Sequence, residues 1–343
     1  MIRFKLSTSF PEWPLARQTP GSTGVWGSCQ FLINQDVAEC DYWVVYEGLM
    51  KPESAWCPPE NTVLVTGEPP AMKNYEGSFL RQFAKVITCH RNMRHPHVIH
   101  TQQGLPWMVG ARYMRRERRW SDIFTKDYDE LKGLTKVDKD RLMSVICSTR
   151  GSTEGHRKRL DLVRRLSSNL KYPIDVFIPE EMELEDKWDA IARYRYHICL
   201  ENSSVQDYWT EKLSDAFLGL SYPIYYGCPN LGDYFPTQSF SRIDIADFES
   251  SVRIVERVVE DNCYERSLEW LNIAKALVLE KYNLFAMLAG LCTDPSSYGV
   301  REYVTLKPES ARPRAGAQIL GALSRAVHAA KAKSSDARPS LTP

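Results

Sequence analysis

Three apolar runs in the second half of the chain constrain its fold most strongly. They cover residues 142–148, 196–200 and 224–226 and are predicted to be buried strands. The first two are followed by stretches with apolar residues at helical spacing, namely Leu160, Val163, Leu166 and Leu170, and then Trp209, Leu213, Phe217 and Leu220. Strands that are apolar throughout and joined by helices imply right-handed crossovers and a parallel sheet covered on both faces. The second half is therefore predicted to be an α/β domain.

The rest of the chain divides around this domain. Short apolar segments alternate with turns rich in Gly and Pro as far as residue 109, and a charged stretch at 112–140 is the predicted linker. At roughly 150 residues per domain, 343 residues suggest two domains. We predict an N-terminal domain at 1–138, a C-terminal domain at 139–306 and a flexible basic tail at 307–343.

Composition excludes several classes of protein. The net charge of +1 argues against a nucleic-acid binder, which usually carries a clear basic excess. No run approaches the ~20 apolar residues that span a bilayer, and residues 1–9 lack the apolar core of a signal peptide. Nine widely spread cysteines without a C-x-x-C pair suit a reduced interior. We therefore expect a cytoplasmic protein.

Two predicted helix N-termini carry charges suited to an anion. Arg159 lies in the opening turn of one helix, and Asp207 can cap the next helix, which places Tyr208, Glu211 and Lys212 in its first turns. Helix N-termini favour anions, and one Arg and one Lys strengthen that preference. A diphosphate held from two sides fits this pattern. The residues alone leave open an ordinary solvated helix surface.

A longer motif carries a family resemblance. Residues 197–213 read HICLENSSVQDYWTEKL, residues 221–229 read SYPIYYGCP, and residues 239–248 read SFSRIDIADF. This pattern resembles the α-1,3/4-fucosyltransferase family (glycosyltransferase family 10), whose signature is approximately F-E-N, a short spacer, Y-V-T-E-K, a helix and P-I-Y-W-G-x-P, with S-F-I-x-V-x-D-F downstream. The spacing agrees over some fifty residues, and weaker similarity covers about residues 1–300.

The resemblance implies a GT-B fold, in which two Rossmann-like domains face a cleft, with the acceptor on the first and GDP-fucose on the second. The positions that match donor-binding residues of the family are Asn202, Tyr208, Glu211 and Lys212. The family's phosphate-binding helix aligns with Arg159, and a two-residue shift to Arg157 stays open. Trp209 stands where the family usually has Val, which concerns packing and not the identity of the donor.

A catalytic base is expected on the first domain. Transfer from a β-linked donor to an α-linkage is an inversion, which needs a base on the acceptor hydroxyl. Glu68 follows the predicted strand at 62–66, and the family's proposed base ends the corresponding strand. Without the resemblance, Glu68 would be a loop carboxylate in water.

No metal site is predicted. The pairs Asp127/Asp129 and Asp138/Asp140 lie in the charged stretch and are interpreted as solvated, and the histidines at 90–100 match no zinc spacing. Arg159 and Lys212 would supply the positive charge. We expect no obligatory cofactor, while stimulation by a divalent metal stays open.

The predicted function is inverting transfer of L-fucose from GDP-β-L-fucose to an acceptor glycan, giving an α-1,3/4-fucoside. At family level the acceptor ends in N-acetylglucosamine or N-acetyllactosamine, as in a lipopolysaccharide. The alternatives are a GT-B transferase for another nucleotide sugar and a non-catalytic carbohydrate-binding relative. Residues 317–333 resemble a basic interfacial helix, so the tail is expected either to contact an anionic membrane or to be inert.

Overall fold

The computed structural model describes residues 1–114, 116–117, 119–149, 154–182, 184–292 and 299–309. The predicted tail therefore lies outside the described residues from position 310 onwards. Residues 1–308 pack as one compact unit around two sheets. The domain boundaries at 138 and 306 stay a prediction.

The first sheet is built from the short apolar segments near the N-terminus. Eight strands and one α-helix precede residue 101, namely β1 (Ile2–Thr8), β2 (Val25–Trp26), β3 (Cys29–Ile33), β4 (Tyr42–Tyr46), β5 (Glu53–Cys57), β6 (Thr62–Val65), α1 (Gly77–Leu80), β7 (Lys85–Thr88) and β8 (Val98–His100). Seven of these strands form one sheet in the order β2-β3-β1-β4-β6-β7-β8, parallel except for β2. Alternate residues of β4 enter different apolar clusters, Val44 on one face and Val45 on the other, because the sheet is covered on both sides.

The stretch 112–140, predicted to be the linker, contains regular secondary structure in its described residues. It contains the antiparallel pair β9 (Ala111–Met114) and β10 (Arg119–Phe124), followed by α2 (Tyr128–Gly133). Asp127 and Glu130 form a capping box that starts α2. Tyr128 and Leu131 are buried in the core of the second half, so the charged stretch is anchored by a few apolar side chains.

The second sheet contains all three predicted strands. Its strands are β11 (Arg141–Ile146), β12 (Asp175–Phe177), β13 (Tyr194–Leu200), β14 (Tyr222–Tyr226) and β15 (Ser241–Arg242). They are parallel throughout, in the order β12-β11-β13-β14-β15. The helices are α3 (Glu154–Asn169), α4 (Lys187–Ile191), α5 (Glu211–Leu218), α6 (Phe248–Glu260), α7 (Cys263–Arg266), α8 (Leu268–Glu280) and α9 (Leu284–Ala289), and β16 (Glu302–Leu306) pairs with β5. The expected α/β class is confirmed, with one sheet parallel throughout and the other parallel except for β2, in line with the two parallel-stranded sheets expected of a GT-B fold.

The strand order places a crevice at the carboxyl edge of each sheet. In the second sheet the chain leaves β11 for β12 on one side and returns to β13 on the other. In the first sheet, β1 lies between β3 and β4 in the same way. Ligands of open α/β sheets bind at such switch points, outside the carboxyl ends of the strands. The loops after β4, β6, β11 and β13 are therefore the places to look for a site.

The two halves are joined near these edges. Arg91, which follows β7, forms an ion pair with Asp207, which follows β13. Gln103 donates a hydrogen bond to the main-chain oxygen of Asp207. Leu284 and Phe285 of α9 pack into the core beneath the first sheet. None of the helices in the described ranges is long and apolar enough to cross a membrane.

Candidate functional site

Glu68 lies in the turn that follows β6, at the carboxyl edge of the first sheet. Its side chain is half-buried, and within the described ranges its carboxylate has no hydrogen bond or ion pair. Burial first, and then the charge of Glu47, raise the pKa of Glu68 above the usual value for a glutamate. Lys212 and Glu211 of the second half also act on this pKa, Lys212 lowering it and Glu211 raising it. The structure thus places Glu68 within electrostatic range of the residues expected to bind the donor.

Glu47 is a second carboxylate at the same edge, and the sequence analysis missed it. It follows β4 and is 4% exposed. Its carboxylate accepts hydrogen bonds from the main-chain N–H groups of Gly67 and Glu68. It also accepts from the side chains of Lys73 and Tyr75. A carboxylate directly after an apolar strand was the signal that identified Glu68, and the same signal would have identified Glu47.

Two further groups surround the Glu68 turn. The imidazole Nε2 of His90 lies 2.8 Å from the main-chain oxygen of Glu68. The Tyr46 side chain is fully buried, and its hydroxyl has no hydrogen-bond partner among the described residues. Burial, followed by the charges of Glu47 and Glu68, raises the pKa of Tyr46 well above its usual value. An unpaired buried hydroxyl is costly, so Tyr46 is an exception to the usual pairing of buried polar groups.

Arg159 and Asn202 meet at the switch point of the second sheet. Arg159 is 5% exposed, and its Nη1 donates to the main-chain oxygen of Leu200 and to Oδ1 of Asn202, at 3.1 and 2.7 Å. Its Nε atom is buried without a partner in the described part of the chain. Arg157, the alternative phosphate ligand, is exposed. The guanidinium is therefore bound through Nη1 to the end of β13, while its Nε–H has no acceptor among the described residues.

Gly155 allows α3 to approach this strand end. A Cβ atom at position 155 would lie 2.0 Å from the main-chain oxygen of Asn202, which is a severe overlap with backbone. The glycine thus brings the first turn of α3, with Arg159 one turn further on, against the loop that carries Asn202.

Gly155→Ala is expected to lower the free energy of unfolding by about 1–3 kcal/mol and to weaken GDP binding, because α3 must move away from Asn202. Chemical denaturation and calorimetry measure the two effects. The control is Gly133→Ala in α2, where an added Cβ meets nothing within 4 Å and stability should not fall. A Gly155→Ala variant with wild-type stability and affinity would show that this close approach is dispensable.

Helix α5 begins later than predicted. The helix expected to start after Asp207 is observed at Glu211–Leu218, with Thr210 and not Asp207 as its N-cap. Asp207 has a left-handed backbone (φ 60°), and its carboxylate accepts hydrogen bonds from Asn230 and Tyr234. These tertiary contacts, with the Arg91 ion pair, remove Asp207 from the capping role. Tyr208 consequently precedes the helix.

Glu201 organises the start of α5. It is fully buried at the end of β13, and its carboxylate accepts hydrogen bonds from the main-chain N–H and the hydroxyl of Thr210. The Nζ atom of Lys212 lies 3.4 Å from the same carboxylate. Gly227 leaves room for this side chain, since a Cβ there would lie 2.4 Å from Cγ of Glu201. Glu201 belongs to the motif that carried the resemblance, but the sequence analysis gave it no role.

Glu211 lies between two lysines. Its carboxylate is 3.2 Å from Nζ of Lys187 and 3.5 Å from Nζ of Lys212. Burial alone would raise the pKa of Glu211, but the two ammonium groups hold it well below the usual range. Lys187 also pairs with the buried Asp215, and the two carboxylates raise the pKa of Lys187 against the effect of burial. Nothing in the local sequence around Lys187 predicted this role, because α4 brings it from 24 residues away.

The predicted donor-binding residues lie around the end of β13 and the start of α5, whereas Glu68 lies at the edge of the first sheet. Arg159 contacts Leu200, and Lys212 contacts the adjacent Glu201, so both cations border the same strand end. Tyr208 is 3% exposed, and burial followed by the charges of Glu201 and Glu68 raises its pKa. Trp209, the departure from the family motif, is buried against the rings of Tyr234, Phe235 and Tyr282.

The acidic pairs considered for metal binding have other contacts. Asp127 caps α2, and Asp129 accepts a hydrogen bond from the main-chain N–H of Gly21 at 2.6 Å, so both have structural partners and are not merely solvated. Asp138 is exposed, and Asp140 pairs with Arg193. Among the described residues no group of three or more His, Cys, Asp or Glu is arranged to hold a metal ion.

Comparison with known proteins points to one family. Residues 137–298 match the family described as glycosyltransferase family 10 (fucosyltransferase), C-terminal domain. The α-(1,3)-fucosyltransferase FucT of Helicobacter pylori is 26% identical over 113 residues, which is 31% of this chain and 23% of that protein. Human GDP-fucose protein O-fucosyltransferase 3 is 27% identical over 106 residues, 30% of this chain and 22% of that protein. The matched segments thus span less than a quarter of these relatives.

Two solved structures align over most of the chain at low sequence identity. A crystal structure of an α1,3-fucosyltransferase aligns over 87% of this chain and 92% of its own, with 13% identity and a TM-score of 0.47. A crystal structure of α1,3-fucosyltransferase with GDP-fucose aligns over the same shares, with 14% identity and a TM-score of 0.46.

Proposed function

We propose that this chain, which belongs to glycosyltransferase family 10 through its residues 137–298, transfers L-fucose from GDP-β-L-fucose to an acceptor hydroxyl with inversion. The observation that carries the proposal is that a carboxylate and a pair of cations from different sheets lie near each other, since Lys212 acts on the pKa of Glu68. The unpaired carboxylate of Glu68 belongs to the first sheet, and the cation-lined end of β13 belongs to the second. This is the arrangement that a displacement between a base and a departing diphosphate requires.

The donor is proposed to bind at the second sheet. Arg159 and Lys212 attract the diphosphate, since charge-assisted hydrogen bonds to phosphate are the strong ones. The N-terminus of α5 adds its partial positive charge. Asn202, Tyr208 and the ionised Glu211 supply hydrogen-bonding groups for the hydroxyls of the fucose and ribose.

The reaction is proposed to proceed in one displacement. The acceptor oxygen attacks C1 of fucose, and the bond from C1 to the β-phosphate oxygen breaks. Glu68 takes the acceptor proton, while the negative charge that develops on GDP is stabilised by Arg159 and Lys212. A base with a raised pKa binds this proton more readily than an ordinary carboxylate does.

The acceptor is proposed to be a glycan ending in N-acetylglucosamine or N-acetyllactosamine, fucosylated at O3 or O4. The similar curated proteins include both an α-(1,3)-fucosyltransferase and GDP-fucose protein O-fucosyltransferases, so a protein hydroxyl is the second candidate acceptor. Contact of the tail at 307–343 with an anionic membrane stays a separate prediction.

The proposal is tested by incubating the full chain with a panel of nucleotide sugars and a panel of acceptors, both glycans and folded protein domains. We expect a mass increase of one deoxyhexose with GDP-fucose only, and linkage analysis that gives an α-fucoside. Glu68→Gln serves as the inactive control. Transfer from another nucleotide sugar, or binding of glycans without turnover, would contradict the proposal.

A further inference from the structure

The carboxylate of Glu47 occupies a cradle of four hydrogen-bond donors. Its Oε2 atom accepts from the main-chain N–H groups of Gly67 and Glu68, at 2.5 and 3.2 Å, and from the hydroxyl of Tyr75 at 2.6 Å. Its Oε1 atom lies 2.9 Å from Nζ of Lys73, which also donates to the main-chain oxygen of Glu47. Glu47 itself is therefore unsuited to accept a proton from a substrate.

The backbone around this carboxylate is specialised. Two successive N–H groups that point at one oxygen form the kind of concave site that usually binds an external anion. Here the anion is a side chain of the protein, delivered from the neighbouring strand β4. Glu47 has a left-handed backbone (φ 66°), which a non-glycine residue keeps only when its surroundings require it. A Cβ at Gly67 would lie 3.0 Å from Oε2, so a larger residue would crowd the contact.

We propose that Glu47 is the positioning residue of the site, holding the Gly67–Glu68 turn so that the Glu68 carboxylate stays unpaired and faces the acceptor hydroxyl. This inference rests on the proposed function for the identity of the proton donor. It assigns the two adjacent carboxylates different tasks according to their contacts. The buried and fully bonded one orders the turn, and the half-exposed and unbonded one reacts.

The charge of Glu47 has a second consequence. The charged groups that act on Glu68 are Glu47 and Glu211, which raise its pKa, and Lys212 and Lys73, which lower it. His90 contacts the main-chain oxygen of Glu68. Glu47 is the largest of the charge effects after burial. The same contact that orders the turn therefore also makes Glu68 a better base.

The test compares Glu47→Gln with Tyr75→Phe in the full chain. Glutamine keeps the size and one acceptor oxygen but removes the charge, whereas Tyr75→Phe removes one hydrogen bond to Glu47 and keeps the charge. With ¹³C-labelled glutamate, the carboxyl signal of Glu68 is identified by its loss in Glu68→Gln and is titrated in each variant. We expect its midpoint to move to lower pH in Glu47→Gln and to stay in place in Tyr75→Phe.

Kinetics provide the second readout. Misplacement of a reacting group by about 1 Å can cost roughly a hundredfold, so kcat of Glu47→Gln should fall about ten- to a hundredfold with unchanged affinity for GDP-fucose. Glu47→Asp should also lower kcat, because its shorter side chain keeps the charge but cannot reach the turn. An unmoved Glu68 midpoint together with unchanged kcat in a folded Glu47→Gln variant would overturn the inference. The titration needs no turnover, so a failure of the proposed fucosyl transfer would be recognised separately.

Discussion

Replacing Glu68 by glutamine is expected to slow fucose transfer by roughly a hundredfold or more, while GDP-fucose binds as in the wild type. Glutamine keeps the shape of the side chain but cannot take a proton. The carboxylate has no partner among the described residues, so its loss should leave the fold unchanged. Turnover at saturating acceptor and calorimetry with GDP-fucose measure the two quantities.

The pH dependence of the wild type provides an independent check. A base must be deprotonated to act, so kcat/KM should rise as pH increases through the pKa of Glu68. Because burial and Glu47 raise this pKa, the rise should occur above the pH expected of an ordinary glutamate, and Glu68→Gln should lack it.

Activity of Glu68→Gln within a few-fold of the wild type would place the base elsewhere. The remaining candidates in this region are Glu76, His95 and His97. The ring nitrogens of His95 lie 3.1 and 2.9 Å from the main-chain oxygens of His97 and Phe83. Glu76 would then be the first residue to examine.

Removing either cation at the end of β13 should weaken GDP binding by about ten- to a hundredfold. A hydrogen bond to a charged group is worth ~1.5–3 kcal/mol, and 1.4 kcal/mol is about tenfold in affinity. Calorimetry with GDP measures the loss in Arg159→Ala and Lys212→Ala. Lys158→Ala and Arg157→Ala are the matched controls, because both residues are exposed on the same helix turn and should change the affinity little.

Stability must be measured alongside these affinities. Lys212→Ala leaves the buried carboxylate of Glu201 without its cation, and an uncompensated buried charge is destabilising. Folded Arg159→Ala and Lys212→Ala variants with unchanged GDP affinity would contradict the proposed diphosphate site. A loss confined to Arg157→Ala would move the phosphate contact by two residues along α3.

The sequence alone determined the layers of the fold. The predicted strands at 142–148, 196–200 and 224–226 appear as β11, β13 and β14, and the one at 62–66 appears as β6. These strands could be predicted because a strand buried on both faces of a parallel sheet is a short run of apolar residues bounded by turns, which is visible in the local sequence. The motif at 197–229 likewise indicates the family through residue types and spacing alone.

The start of α5 was decided by tertiary structure. Asp207 and Thr210 are both good N-cap residues, and nothing local distinguishes them. Asn230 and Tyr234, more than twenty residues downstream, bind the Asp207 carboxylate, while the buried Glu201 accepts hydrogen bonds from Thr210. The choice of cap therefore depends on residues that the helix pattern does not contain.

The charges that complete the site also depend on the fold. Lys187 reaches Glu211 from another helix, and Glu47 reaches the Glu68 turn from another strand. These pairs are separated by 24 and 21 residues, so no spacing rule within one helix or strand connects them. The sequence placed single charged residues at strand ends, where ligands bind. Only the order of the strands brought those ends together, because neighbours in a parallel sheet are set by crossovers and not by proximity along the chain.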